Sequence, residues 1–236
     1  VHEYCFEPCL KNAVNILNIW KQRNLSLKGR ITILKSLIIP KFLYPASNLP
    51  VTTSFISSVD NIITEFIWDS RQPKIKKNVI IQDIQNGGIK APDFLSMVKA
   101  NRVMWVKRAL ASDGKWTAVL QSLLRPMSIE HFAKSALSEC ALDNIQISFY
   151  HQMFLFWNEL RPVPSNALDF RQEILWLNKH ISAPTEITKG KRKVCSKTIK
   201  SFLWTEFYKA GIVIVGDLFN DSNELMDYKE FIDRYK

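Results

Sequence analysis

The stretch Trp20–Pro50, WKQRNLSLKGRITILKSLIIPKFLYPASNLP, decides how the rest of the chain is read. Ser26 is placed to cap the exposed N–H groups of a first helical turn. Leu27, Ile31, Leu34 and Ile38 then recur at i, i+4, i+7 and i+11, a single apolar stripe at helical period. Pro40 is expected to stop this helix, because the residue before a proline is driven out of the α region. At about 100° per residue, Lys28, Thr32 and Lys35 fall on a neighbouring polar strip flanked by the small residues Gly29 and Ser36. That strip reads in two ways. It is the solvated face of an ordinary amphipathic helix, or two ammonium groups on a low surface that a phosphate backbone can approach.

The flanking segments supply partners for the apolar stripe. Leu10, Ala13, Val14, Leu17 and Trp20 line one face of a helix ending near Asn24, after a lead-in over 1–9. Pro40, Pro45 and Pro50 predict a bent connection carrying Phe42, Leu43 and Tyr44. A further helix runs from about Ser54 to Trp68, with Phe55, Val59, Ile62 and Phe66 as its stripe, widened by Ile56, Ile63 and Ile67. Three amphipathic helices over 10–68 predict a compact bundle.

Residues 69–92 read as a basic connector. DSRQPKIKKN (Asp69–Asn78) carries Arg71, Lys74, Lys76 and Lys77 in a polar loop, either solvated or touching phosphate. Val79–Gln82 and Ile89–Lys90 are expected to pair as a short hairpin around Asn86-Gly87-Gly88, which supplies positive φ at little cost. A second use for the glycine pair is close approach to a backbone or nucleotide.

Pro92 opens the longest expected helix, to about Ser112, apolar nearly all round and so buried between layers. Arg102 at its margin calls for an acidic partner or a phosphate, since an unpaired buried charge is costly. Residues 93–236 as a whole are expected to form a larger helical region. FYHQMFLFWNEL (Phe149–Leu160) is dense in aromatics, which favours core packing over base stacking. KGKRKVCSKTIK (Lys189–Lys200) is the steepest basic run, an exposed loop meeting phosphate or a nuclear-import patch. Beyond Gly216 the balance turns acidic, which suits protein or solvent.

Composition sets bounds on function. Of 236 residues 47% are hydrophobic and 7 are glycine, so a packed core is expected. The net charge of +10 favours an anionic partner, nucleic acid before a membrane surface. Charges interrupt every apolar run well short of a membrane span. The four cysteines, without a secretory pattern, read as intracellular thiols in the nucleus or cytoplasm. His2, Cys5 and Cys9 make half a zinc set, but no second close pair completes it.

The motifs of catalysis are missing. No Tyr-x-Asp-Asp turn, Gly-rich phosphate loop, Gly-x-Ser-x-Gly elbow or His-Glu-x2-His pair occurs. The carboxylates are scattered over helix surfaces, so this chain alone is expected to catalyse nothing and to hold no cofactor.

The run W-x2-R-x-LSLKGRI-x-ILKSL-x-IPKFLY-x5-LP resembles the thumb of LINE-type (non-LTR) retrotransposon reverse transcriptases. The likeness continues in order through FIW (Phe66–Trp68), PKIKK (Pro73–Lys77), GGIKAPD (Gly87–Asp93), WVKR (Trp105–Arg108), LWLN (Leu175–Asn178) and GI-x4-DL (Gly211–Leu218). It is strongest over Leu10–Leu110. It implies a fragment downstream of the catalytic palm, in which a mainly α chain places a three-helix thumb-like bundle before a short hairpin connector and a helical region. Any Mg²⁺ would belong to the palm. The implied partners are an RNA/DNA template–primer duplex and the palm and fingers of the same polyprotein. The duplex would be gripped by phosphate and sugar contact through Lys28, Lys35, Arg71, Lys74, Lys76 and Lys77, with Arg30 and Lys41 behind them. The other reading is a helical protein–protein interaction module with no remaining role in reverse transcription, docking through its aromatic half.

Overall fold

The computed structural model describes residues 2–70, 72–112, 114–161, 170–181 and 200–235. Among these the fold is mainly helical, with only isolated β-bridges. Two compact units are present, 1–102 and 103–236, and the division falls inside a helix.

In the first unit α1 spans His2–Lys21, and residues 2–9 of the expected lead-in are part of it. The early residues become helical because Phe6 has a place to bury: it is 2% exposed, with its ring centroid 4.2 Å from that of Phe55. Ser26 caps α2 (Leu27–Ile33), its hydroxyl accepting from the Gly29 N–H at 3.2 Å. Thr52 caps α4 (Thr53–Trp68) in the same way. Leu34, Ile38, Phe42, Phe66 and Val59 interlock at the bundle centre, all at or below 1% exposure.

Pro40 does not stop the second helix. Between α2 and α3 (Ile39–Asn48) lies a π-helical turn, Leu34–Ile38, and the chain runs on through Pro40 and Pro45 to Asn48. Proline removes one i→i−4 donor, and a π turn is a recurring way for a helix to pass such a gap. Here the Ile39 N–H reaches back five residues to the Leu34 carbonyl. The turn also solves a register problem. The buried positions are Ile31, Leu34, Ile38, Ile39, Phe42 and Ala46. In an unbroken α-helix Ile39 would fall about 20° from Lys28, on the polar side. One extra residue in the π turn brings Ile39, Phe42 and Ala46 back under Ile31 and Leu34.

Two arginines tie helix ends into this unit. Arg30 donates to the Phe66 carbonyl at 2.8 Å and the Ile67 carbonyl at 3.4 Å, at the C-terminal end of α4. Arg102 is fully buried and donates to the Ser47 carbonyl at 3.1 Å and to the Leu49 carbonyl, at the end of α3. Orphan carbonyls at a helix C-terminus carry partial negative charge. They take the role that the sequence reading gave to an acid or a phosphate. Burial lowers the Arg102 guanidinium to about 10.

The connector is helical rather than a hairpin. α5 (Lys77–Ile80) and a 3₁₀ turn (Ile84–Asn86) precede the glycines. Ile89 and Ala91 both donate to the Ile80 carbonyl, at 3.2 and 2.9 Å, so the return segment folds against the end of α5 instead of pairing as a strand. Gly87 stands at φ +79°, and a Cβ on Gly88 would lie 2.1 Å from the Gln82 carbonyl oxygen. Turn and close approach to backbone therefore divide between the two glycines. The next helix, α6 (Phe94–Ala111), has 18 residues against the 20 of α1.

The second unit comprises the rest of α6 with α7 (Lys115–Leu124), α8 (Ile129–Lys134), α9 (Glu139–Asp143), α10 (Ser148–Leu160), α11 (Lys200–Lys209) and α12 (Tyr228–Tyr235). Met153, Phe154 and Phe156 of α10 are buried, and Phe154 meets Phe132 edge to face at 4.7 Å. Leu175–Asn178 and Gly211–Leu218 lie against each other: the Leu175 N–H donates to the Val213 carbonyl at 2.9 Å, and the Trp176 indole N–H to the Ile212 carbonyl at 2.6 Å. The Asp217 carboxylate takes the Val213 and Ile214 N–H groups at 2.7 and 2.8 Å. In the acidic tail Asp227 and Glu230 accept each other's backbone N–H, which holds the start of α12.

Candidate nucleic-acid interface

Charge is divided unevenly along the chain. Residues 1–102 hold 14 Lys and Arg against 7 Asp and Glu; residues 103–236 hold 18 against 15. No acidic residue occurs between Glu7 and Asp60, an interval that includes the whole of α2, the π turn and α3. These helices carry no carboxylate of their own to repel a phosphate backbone, and Glu65 of the neighbouring α4 is paired with Lys21.

The π turn decides which side chains stay off the core. Thr32 Oγ1 donates to the Lys28 carbonyl at 3.0 Å and Ser36 Oγ to the Thr32 carbonyl at 2.8 Å, so Lys28, Thr32 and Ser36 stack in one i, i+4 row. Across the π turn the row steps by five, which makes Lys41 its next member. The adjacent row runs Lys35, Pro40, Tyr44. In an unbroken α-helix Lys41 would point about 140° away from Lys28, on the core side; with the extra residue it stands about 120° round in the other direction, exposed at the far edge of the polar surface. Lys28, Thr32, Lys35, Ser36, Pro40, Lys41 and Tyr44 are all exposed. Lys28 to Lys41 spans about 20 Å at about 1.5 Å per residue. The two hydroxyls are bonded back to their own helix, which leaves ammonium groups as the donors of this row.

The connector cations separate into two kinds. Lys74 and Lys76 are exposed, and among the described residues neither makes an ion pair. Lys77 instead bridges Asp60 of α4 at 2.7 Å and Asp93, just before α6, at 2.9 Å. Burial pulls its ammonium down, but the two carboxylates together outweigh that and its pKa stands above the ordinary lysine value. For Asp93 burial pushes upward, and the Ser96 hydroxyl and Lys77 more than offset it, so its pKa is lowered. Lys77 thus holds the connector to the bundle, and Arg30 holds α2 to α4. Both are occupied inside the fold. Arg71 lies outside the described residues, as do most of Lys189–Lys200.

Contacts between helix ends place Lys28 and the start of the connector at one end of the bundle. Lys21 pairs with Glu65 at 2.9 Å, and Arg30 reaches Phe66, so the end of α1, the start of α2 and the end of α4 lie together. Lys28 and the departure point of the connector belong to that end. Arg23, not singled out in the sequence, is there too, exposed and with its guanidinium 4.9 Å from the centroid of the Trp20 ring. The W-x2-R spacing was its signal.

Among the described residues no group of three His, Cys, Asp or Glu could hold a metal ion, and no helix is long and apolar enough to cross a membrane. The Cys9 thiol donates to the Cys5 carbonyl at 3.2 Å. No family model matches the chain. It is similar to a protein of Arabidopsis thaliana that carries the provisional name ribonuclease H protein At1g65750, with 23% identity over 128 residues, or 51% of this chain. The matched part is 20% of that protein's length.

Proposed function

We propose that this chain is a non-catalytic part of a LINE-like reverse transcriptase and grips a template–primer duplex through its sugar–phosphate backbone. The observation that carries the reading is the acid-free ridge of α2 and α3, on which Lys28, Lys35 and Lys41 stand exposed without an ion pair among the described residues. Lys74 and Lys76 add two further exposed cations on the connector. A grip made of ammonium–phosphate contacts is independent of base sequence, as a sliding polymerase requires. A-form-like hybrids are recognised in this way, by shape and backbone. The printed name of the Arabidopsis relative also refers to RNA as a substrate, which fits the same class of partner. The palm and fingers remain the expected protein partners and the source of any Mg²⁺. A protein-docking module has less support, because the aromatic residues Phe154 and Phe156 of α10 are spent in the core.

The test is binding of an RNA–DNA hybrid by the full chain, followed by fluorescence anisotropy across a salt series. Lys74→Ala with Lys76→Ala should flatten the slope of log K against log salt by about 1.4–1.8, two contacts at roughly 0.7–0.9 each. Hybrids of unrelated sequence should be weakened alike. Absence of hybrid binding by the unsubstituted chain at low salt would favour the docking module instead.

A further inference from the structure

The adjacent row of the same ridge carries an aromatic group that neither helix packing nor the lysine reading uses. Tyr44 is 79% exposed, although the helix around it buries Phe42 and Ala46. Read as an unbroken α-helix from Lys28, position 44 would fall about 160° away, on the far side. The π turn carries it back to about 60°, so that it follows Lys35 and Pro40 in one row beside Lys41. The Tyr44 backbone carbonyl is occupied by the Ser47 hydroxyl at 2.7 Å, while its phenol stands off the surface.

We infer that Tyr44 is a further duplex-contact residue, its hydroxyl donating to a phosphate oxygen on the strand that Lys28, Lys35 and Lys41 follow. The inference rests on the proposed duplex grip. Three features support the assignment. The segment that carries this face contains no carboxylate of its own to compete for the hydroxyl proton, since Glu7 and Asp60 bound the acid-free interval. Phenolic O–H groups are among the side chains that regularly bond phosphate oxygens in nucleic-acid complexes. The partner is fixed by charge: a ridge of cations about 20 Å long matches a polyanion that carries roughly one charge per 1.7 Å of duplex axis. The device that sets the geometry is the π turn at Leu34–Ile38, which brings Tyr44 to the side of Lys28 and Lys35 and leaves Lys41 exposed while keeping Ile39 in the core.

A neutral donor and a cation leave different signatures. Losing an ammonium–phosphate contact flattens the salt slope; losing a hydroxyl contact lowers affinity equally at every salt concentration. Tyr44→Phe in the full chain, assayed on an RNA–DNA hybrid from low to moderate salt, should weaken binding about three- to tenfold with the slope unchanged. Lys28→Ala with Lys35→Ala and Lys41→Ala should flatten the slope by about 2–3. Far-UV circular dichroism melts of Tyr44→Phe should match those of the unsubstituted chain, because the side chain is outside the core. If Tyr44→Phe binds like the unsubstituted chain while the triple-lysine variant flattens the slope, the Tyr44 contact is overturned and the duplex grip stands. If Tyr44→Ala weakens binding but Tyr44→Phe does not, the hydroxyl contact is likewise overturned. If the triple-lysine variant leaves the slope unchanged, the duplex grip fails and this inference with it.

Discussion

Ile39→Ala tests the helix register on which the proposed interface depends. Ile39 is 3% exposed and lies one residue after the π turn. Continued as a plain α-helix, position 39 sits about 20° from exposed Lys28, where trimming an isoleucine would have little effect. With the π turn it faces the core beside Leu34 and Phe42. The substitution removes three carbons, worth roughly 2.4 kcal/mol at about 0.8 kcal/mol each. A residual cavity adds to this, so the loss should fall in the range of about 2–5 kcal/mol. Lys41→Ala, two residues on, should change stability by less than about 0.5 kcal/mol, although the plain helix would turn that residue toward the core. Urea unfolding followed by circular dichroism measures both, provided the m-value is unchanged. An Ile39→Ala effect no larger than that of Lys41→Ala would refute the register, and with it the outward placement of Lys41 and the grouping of Tyr44 with Lys28.

Lys77→Met should destabilise the first unit by less than about 1 kcal/mol, because the lysine side chain is 46% exposed. Asp93 has a lowered pKa, so its share of this stability is present above its ordinary value of 3.8 and is lost as pH falls through the still lower folded value. Lys77 has a raised pKa, so its share is present below 10.5 and is lost as pH rises above that. The stability difference between wild type and Lys77→Met, measured by urea titration at several pH values, should therefore be flat near neutrality and shrink at both extremes; a peak near pH 7 would count against the bridge. Gly88→Ala should cost more than about 1 kcal/mol, since its Cβ would overlap the Gln82 carbonyl, and an unchanged thermal midpoint would show that the close approach is absent.

Much of the first unit could be read directly from the chain. Ser26, the stripe Leu27, Ile31, Leu34 and Ile38 and the helix ending at Trp68 are local signals of capping and period, and the structure has them where those signals fall except at Leu27, which is exposed. The passage through Pro40 was harder to see. Proline is a local stop signal, whereas the π turn that carries the helix past it is stabilised by tertiary burial of Phe42 and Ala46. The adjacent pair Ile38-Ile39, two core residues side by side in a helical pattern, was the one trace of the extra residue. The basic residues could be found by inspection, but not their roles. Composition does not distinguish Lys74 and Lys76 from Lys77, since the difference lies in Asp60 and Asp93, 17 and 16 residues away along the chain. The partners of Arg30 and Arg102 are hidden for the same reason, because they are carbonyls at helix ends and leave no side-chain signature.

The central claim is that the ridge of α2 and α3 meets a phosphate backbone. Its most direct test is the salt dependence of hybrid binding by the full chain beside the variant Lys28→Ala, Lys35→Ala, Lys41→Ala. With Lys28, Lys35, Lys41, Lys74 and Lys76 in contact, the unsubstituted chain should show a slope of log K against log salt of about −3.5 to −4.5. The variant should lose about 2–3 of that while unfolding at the same urea concentration. Equal slopes for the two proteins would contradict the account.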